Sequence, residues 1–222
     1  MDDGALYRLL SWLSPGYPVG AYSYSHGIEY AVEAGLVTSG DELADWIATA
    51  LVDGTGRTDG VFFRAAFAAV AEGHHDGLAE VAELAAAFRA SAELATESLA
   101  QGEAFLAISR AVWPAAGLDA LAPPVAYPVA VGAVCAAHGL GLESALLAYL
   151  HAFAANLVSA GVRLVPLGQT DGQSVVRALE QTVRAARDRA LATPLDEPGA
   201  AAPVIEWTSM RHETQYTRLF RS

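Results

Sequence analysis

Alanine dominates the apolar residues of this chain, while the β-branched and aromatic residues that favour strands are thinly spread. Alanine is the best helix former, so helix-on-helix packing is the architecture such a composition permits most readily. Hydrophobic residues make up 53% of 222 positions, and a chain of this size can bury roughly 70% of its unfolded surface in one core. The expected fold is all-α, a single-domain helical bundle of about eight to ten helices.

Punctuation along the chain sets the elements. A short helix is predicted over 3–13, stopped by Pro15, followed by the shaped loop SPGYPVGAYSYSHG with its three tyrosines. A helix over 25–34 should end at Gly35. Ser39 with Glu42 forms a capping box that opens a helix carrying Leu43, Trp46, Ile47, Ala50 and Leu51 on one face. Further helices are predicted over 59–71, over 77–88 behind an Asp76 cap, and over 92–112, with Pro114 as the stop. The Pro-rich stretch 122–127 reads as a connector, and 128–137 and 142–165 read as the central, most apolar helices. Thr170 with Gln173 suggests a capping box for one helix reaching Leu191, with Arg177, Arg184 and Arg187 on its face. Residues 1–192 are thus expected to form the helical body, and 193–222 a linker and a C-terminal tail.

The net charge of −12 rests on 25 acids and 13 cations, all of them Arg. An acidic surface repels phosphate backbones, so nucleic acid is not an expected partner. The lack of Lys excludes a P-loop and Schiff-base chemistry. Residues 1–110 hold 16 acids against 5 Arg, whereas 111–222 hold 9 against 8. Solubility or steering of a basic partner would both produce this asymmetry. One cysteine, Cys135, forbids an internal disulfide and suits a reducing compartment. The start MDDGALYRLLSWLSP has acids where a signal peptide has cations, so a cytoplasmic protein is expected. The uncharged stretches 121–142 and 144–162 are broken by prolines or hold His and Asn, which favours buried helices over membrane spans.

No catalytic signature is found. His212 and Glu213 begin an HExxH pattern that fails at Tyr216. Cys135 and His138 share a helix face among Ala, Val and Gly, which points to a packed thiol. His74 and His75 are adjacent and unlikely to converge on one ion, and Gly54-Thr55-Gly56 is too short to cradle phosphate. His26 and Glu29 lie one turn apart, as a structural hydrogen bond or an interface contact requires. No metal site and no cofactor are expected, and nickel should bind weakly to the chain alone. The tail concentrates Trp207, Tyr216 and Phe220 with Arg211, Arg218 and Arg221, the residue types of binding hot spots. A helix begun near Thr208 would place His212, Tyr216 and Leu219 on a docking stripe, with Arg218 beside it to pair with an acid or carbonyls.

Five blocks in order resemble the UreF family of urease accessory proteins: SPGYPVGAYSYSHGIEYAVEAGLV, ESLAQGEAF, YPVAVGAVCAAHG, LVSAGVRLVPLGQTDGQ and RHETQYTRLFRS. The resemblance implies a non-enzymatic homodimer that joins the accessory protein UreD (or UreH) and the GTPase UreG. The implied role is to bridge these partners for nickel insertion into apo-urease and to influence GTP hydrolysis by UreG. It also implies a tail that orders on partner binding, with an organising Arg matching Arg218. The expected partner-binding residues are Pro18, Gly20, Tyr22, Ser23, Tyr24, His26 and Glu29 in the first block, Gln169 and Asp171 in the fourth, and Arg211, His212, Glu213, Tyr216, Arg218, Leu219 and Phe220 in the last. The absence of Lys means that any family role of a Lys must fall to Arg here. Two other classes remain open: a GTPase-activating protein using Arg163 or Arg57 as an arginine finger, and a helical bundle that binds a small molecule.

Overall fold

A computed structural model describes residues 2–222, and among these every regular element is a helix. Eleven α-helices follow in order: α1 (Asp3–Trp12), α2 (Ile28–Glu33), α3 (Gly40–Val52), α4 (Thr55–Ala71), α5 (His75–Ala87), α6 (Ala92–Val112), α7 (Tyr127–Ala137), α8 (Leu142–Leu164), α9 (Gln169–Ala178), α10 (Glu180–Ala192) and α11 (Pro203–His212). Two 3-10 turns, Ala21–Ser23 and Leu118–Ala120, sit in the connections.

The centre is α7, whose residues from Pro128 to Cys135 are all buried. It packs chiefly against α4 and α6. Close approach depends on glycine at two crossings. A Cβ on Gly132 would collide with the carbonyl of Phe63 on α4, and one on Gly102 of α6 with the carbonyl of Val125 just before α7. Phe63 of α4 meets Tyr149 at 5.4 Å and Phe105 of α6 meets Tyr127 at 5.7 Å between ring centres, and both, like Phe62, are fully buried. Helix α8 meets α2, α3, α4, α9 and α10. Its length and composition would allow it to cross a membrane, but half of that apolar stretch is buried inside the bundle.

Several boundaries depart from the pattern read in the sequence. Helix α2 begins at Ile28, three residues late, because His26 (φ 57°) and Gly27 (φ 80°) both take the left-handed conformation and interrupt the helical path. Helix α4 begins four residues early at Thr55, since Gly56 packs inside the first turn against Leu51. Asp76 lies within the first turn of α5, where its charge favours the helix dipole, and His74 occupies the cap position. The expected Thr170–Gln173 box is replaced by Asp171, whose carboxylate accepts the Gly168 N–H at 2.9 Å. The single helix predicted to reach Leu191 is divided at Leu179 into α9 and α10. The largest difference is at the C-terminus. Helix α11 starts at Pro203 inside the predicted linker, with proline at a first-turn position that lacks any need for an N–H. The rest of that linker is tied down where Ala201 N–H donates to the Asp53 carbonyl at 2.7 Å.

Candidate functional site

Helix α11 lies on α2 and α6. Contact with α2 is close: a Cβ on Gly27 would stand 2.8 Å from Thr208 Oγ1 and 2.9 Å from the Ser209 nitrogen. Ser209 and Ser91 pair through their hydroxyls at 2.7 Å, which fixes α11 beside the N-cap of α6. On the outer edge, Tyr30 meets the Trp207 ring edge-on at 5.5 Å and takes a hydrogen bond from Arg211 Nε to its hydroxyl at 3.3 Å.

Beyond α11 the chain turns back over this surface and is held by buried carboxylates. Glu29 accepts the main-chain N–H groups of Leu219 (2.6 Å) and Phe220 (2.8 Å) and lies 3.0 Å from His212 Nε2. Glu93 stands 2.7 Å from His212 Nδ1 and accepts from Arg218 at 2.9 Å. Glu97, one turn further along α6, accepts the Ser222 hydroxyl at 2.8 Å. Three carboxylates thus face one segment, and each finds donors there, which is the condition for burying such groups at all. Burial pushes the Glu93 carboxyl above its usual range, against the opposing pull of His212 and Arg218.

The segment also pairs with the N-terminal loop. Arg221 N–H donates to the Ser23 carbonyl at 2.8 Å, and Ser25 donates to the Ser222 carbonyl from its N–H at 2.7 Å and from its hydroxyl. Phe220 is the apolar anchor, buried with the Arg163 guanidinium stacked over its ring at 4.3 Å. Arg221 lies over Tyr24, which is only 2% exposed. Burial accordingly raises the Tyr24 phenol, with Arg221 opposing.

The structure therefore gathers Ser23, Tyr24, Glu29, His212, Arg218 and Phe220 into one constellation, with His26, Glu213 and Arg211 at its border. Glu213 accepts the Ala92 N–H at 3.2 Å. Several sequence expectations are corrected. His26 does not meet Glu29: its left-handed backbone turns the ring to Thr55 Oγ1 (2.9 Å), with Nδ1 at 3.4 Å from Glu97, too poorly aligned for a hydrogen bond. The stripe of His212, Tyr216 and Leu219 does not exist, because α11 ends at His212. His212 is wholly buried, whereas Tyr216 and Leu219 point to solvent. Tyr22 is likewise exposed, and Pro18 and Gly20 shape the loop that carries it, with Gly20 left-handed at φ 74°. Gln169 and Asp171 lie elsewhere, at the start of α9. Arg163 contacts the Phe220 ring and donates to the Tyr22 carbonyl (2.8 Å), and Arg57 lies half-buried in the first turn of α4. Glu93, Glu97 and Ser25 were not singled out from the sequence. For the two acids the signal is a stripe of Glu93, Glu97 and Gln101 at a spacing of four along α6.

Beneath the loop lies a cavity of 310 Å³ bounded by Tyr17, His26, Glu97, Tyr127 and Asn156. At its floor Arg89 pairs with Asp59 at 2.7 Å, and the Tyr149 hydroxyl donates to the same carboxylate at 2.7 Å. A groove of 720 Å³ between α1, α8, α9 and α10 is lined by Leu6, Leu10, Leu147, Val176 and Val183. Among the described residues no three His, Cys, Asp or Glu side chains are arranged to hold a metal ion.

The UreF family model matches residues 37–180. A urease accessory protein UreF of Rhodopseudomonas palustris (strain BisB5) is 54% identical over 225 aligned residues, covering 100% of this chain and 93% of the relative. Proteins of the same name from Granulibacter bethesdensis (52% identical, 99% of this chain, 95% of the relative) and Bradyrhizobium diazoefficiens (52%, 100% and 93%) align equally fully. With about half of the aligned positions identical over essentially the whole chain, and the family model matching 37–180, this chain belongs to the UreF family of urease accessory proteins.

Proposed function

We propose that the protein is a non-catalytic bridge in urease maturation, in which residues 1–192 form the body and 193–222 the segment that engages partners. The observation that carries this reading is the two-sided character of the C-terminal segment. Its inner side is fastened to Glu29, Glu93 and Glu97, and its outer side displays Trp207, Met210, Tyr216 and Leu219 to solvent. Exposed aromatic and apolar side chains on an ordered backbone lose little freedom on association, which is what a recognition surface needs. Tyr22 adds a further exposed ring from the loop paired with that segment.

The partner at this surface is the accessory protein UreD (UreH), and the pair recruits the GTPase UreG, influences its GTP hydrolysis and passes nickel to apo-urease in the cytoplasm. A second copy of the chain packs against the other apolar surface, where Leu6, Tyr7 and Leu10 of α1 stand exposed beside the 720 Å³ groove. Because α11 begins at Pro203, a deletion that respects the fold removes 213–222 and leaves the helix intact. The tagged chain ending at His212 should remain folded and dimeric but fail to copurify with the accessory protein, and should not support urease activation. Normal copurification and activation by that truncated chain would refute the assignment.

A further inference from the structure

We propose that the 310 Å³ cavity beneath the N-terminal loop binds a small neutral molecule that carries an amide or ketone oxygen. The inference does not rest on the partner-binding role proposed above.

Two buried side chains on the cavity wall each have one nitrogen without a protein partner. The Arg89 side chain is 4% exposed; its Nε donates to the Ala85 carbonyl at 3.2 Å and its Nη1 to Asp59 at 2.7 Å, while Nη2 has no acceptor. His26 is 3% exposed, with Nε2 2.9 Å from Thr55 Oγ1 and Nδ1 unpaired. Buried polar atoms left unsatisfied are costly, and those of a charged group cost most. Arg89 also borders a second hollow lined by Phe88, Ala200 and Glu206, whereas His26, Tyr127 and Tyr149 line only the cavity beneath the loop.

The charges on the wall select against an ion. Arg89 is already matched by Asp59, which also accepts the Tyr149 hydroxyl at 2.7 Å. The other acid, Glu97, accepts the Ser222 hydroxyl at 2.8 Å and the Gln101 amide at 3.4 Å. An anion at Arg89 would face the charges of Asp59 and Glu97, a cation would meet the unpaired N–H of Arg89, and either would have to shed its water. A neutral carbonyl oxygen accepts from Nη2 without that cost. At His26 the tautomer sets the need: Nδ1 donates when Thr55 donates to Nε2, and accepts when Nε2 donates to Thr55. An amide offers both an oxygen and N–H groups, so it suits either tautomer.

The rest of the wall is apolar, formed by Leu13, Val19, Leu94, Phe153 and the rings of Tyr17 and Tyr127. Waters there would lack the two to four polar partners that each requires, whereas a flat or aliphatic body covers such a surface. The volume equals the space of about ten waters, which admits one molecule of about that many heavy atoms.

The test is an NMR titration of the isotope-labelled full chain with benzamide, benzoate and benzamidine, which share nearly one shape but are neutral, anionic and cationic. Acetamide serves as a smaller neutral probe, and the amides of Phe153 and Asn156 on the α8 wall report binding. Benzamide should shift them saturably with a Kd of about a millimolar or tighter, and each ion should bind at least about tenfold more weakly. Ala155→Leu fills the cavity without removing a polar group and should abolish these shifts while the α7 amides keep their positions. Asp59→Asn combined with Arg89→Gln removes both charges together and should weaken benzamide by about tenfold or more; this double variant decides if Ala155→Leu disturbs the α7 spectrum. No saturable shift with either neutral probe would show a cavity that holds water alone. That result, an ion bound as tightly as benzamide, or unchanged benzamide affinity in the deciding variant would overturn the proposal. None of these outcomes bears on the copurification of the truncated chain, which tests the partner-binding role.

Discussion

The crossing of α7 with α4 and the docking of residues 213–222 on α2 and α6 are held by opposite means. At the crossing, Gly132 admits the backbone of α4 at Phe63, itself fully buried, with all eight residues from Pro128 to Cys135 buried. Such contacts depend on apolar area and packing, and are indifferent to pH and salt over the ordinary range. The C-terminal segment buries one large apolar side chain, Phe220, and relies for the rest on polar contacts, chiefly hydrogen bonds to three carboxylates and pairing with Ser23 and Ser25 of the N-terminal loop. Hydrogen bonds to a charged group contribute about 1.5–3 kcal/mol each, and the segment's own ordering opposes them. The proposed function asks that the body be stable as a unit and that the segment be a separable layer docked on it. That is the property required of an element that must be ordered to be recognised yet able to move.

The most severe way to break the contrast is in the core. Phe63→Ala removes a fully buried ring at the α4–α7 crossing and should cost about 3–5 kcal/mol in denaturant unfolding, with the loss felt throughout the molecule. Gly27→Ala is next. It places a methyl in the left-handed region and within 2.9 Å of the α11 backbone, so α11 should shift off α2 at a cost of about 1–3 kcal/mol. Protease sensitivity confined to the chain after Asp196 would show the damage to be local. Arg218→Ala removes one partner of Glu93, but the Arg side chain is 41% exposed and water screens the pair. A loss of about 1 kcal/mol or less in docking is expected, read as faster exchange of the Leu219 amide with unchanged global unfolding. Smallest is Arg184→Ala, which breaks an exposed pair with Glu180 on α10 and should change unfolding by about 0.5 kcal/mol at most.

The two regions also differ in how far the sequence disclosed them. The core is legible because its signals are periodic: the spacing places Leu43, Trp46, Ile47, Ala50 and Leu51 on one face of α3, and all but the half-buried Trp46 are buried. The apolar runs of α7 and α8 were placed to within a residue. The aromatic and Arg content of the C-terminal segment marks it as unusual for a tail, but that content does not encode its conformation. A helix carried past His212 gave a false stripe, since nothing local in HETQY announces that the chain stops being helical in order to reach Glu29 on a helix nearly two hundred residues earlier. The buried acids Glu93 and Glu97 resemble ordinary surface charges of an amphipathic helix until a second element covers them. His26 and Glu29 have the spacing of a helical pair, and only the left-handed backbone at His26 separates them. Local periodicity reports which face is apolar. It does not report which polar residues are covered by a segment distant in sequence.

The claim that body and segment are separate layers joined through Glu29 is tested most directly by native-state hydrogen exchange on Glu29→Gln beside the wild type. A neutral amide there loses the charge that receives the Leu219 and Phe220 N–H groups and His212. The account predicts that protection of those two amides falls by roughly ten- to a hundredfold, the equivalent of about 1.5–3 kcal/mol, while the amides of α7 keep theirs. An equal loss in both regions would show one cooperative unit, and no loss in either would show that Glu29 does not hold the segment.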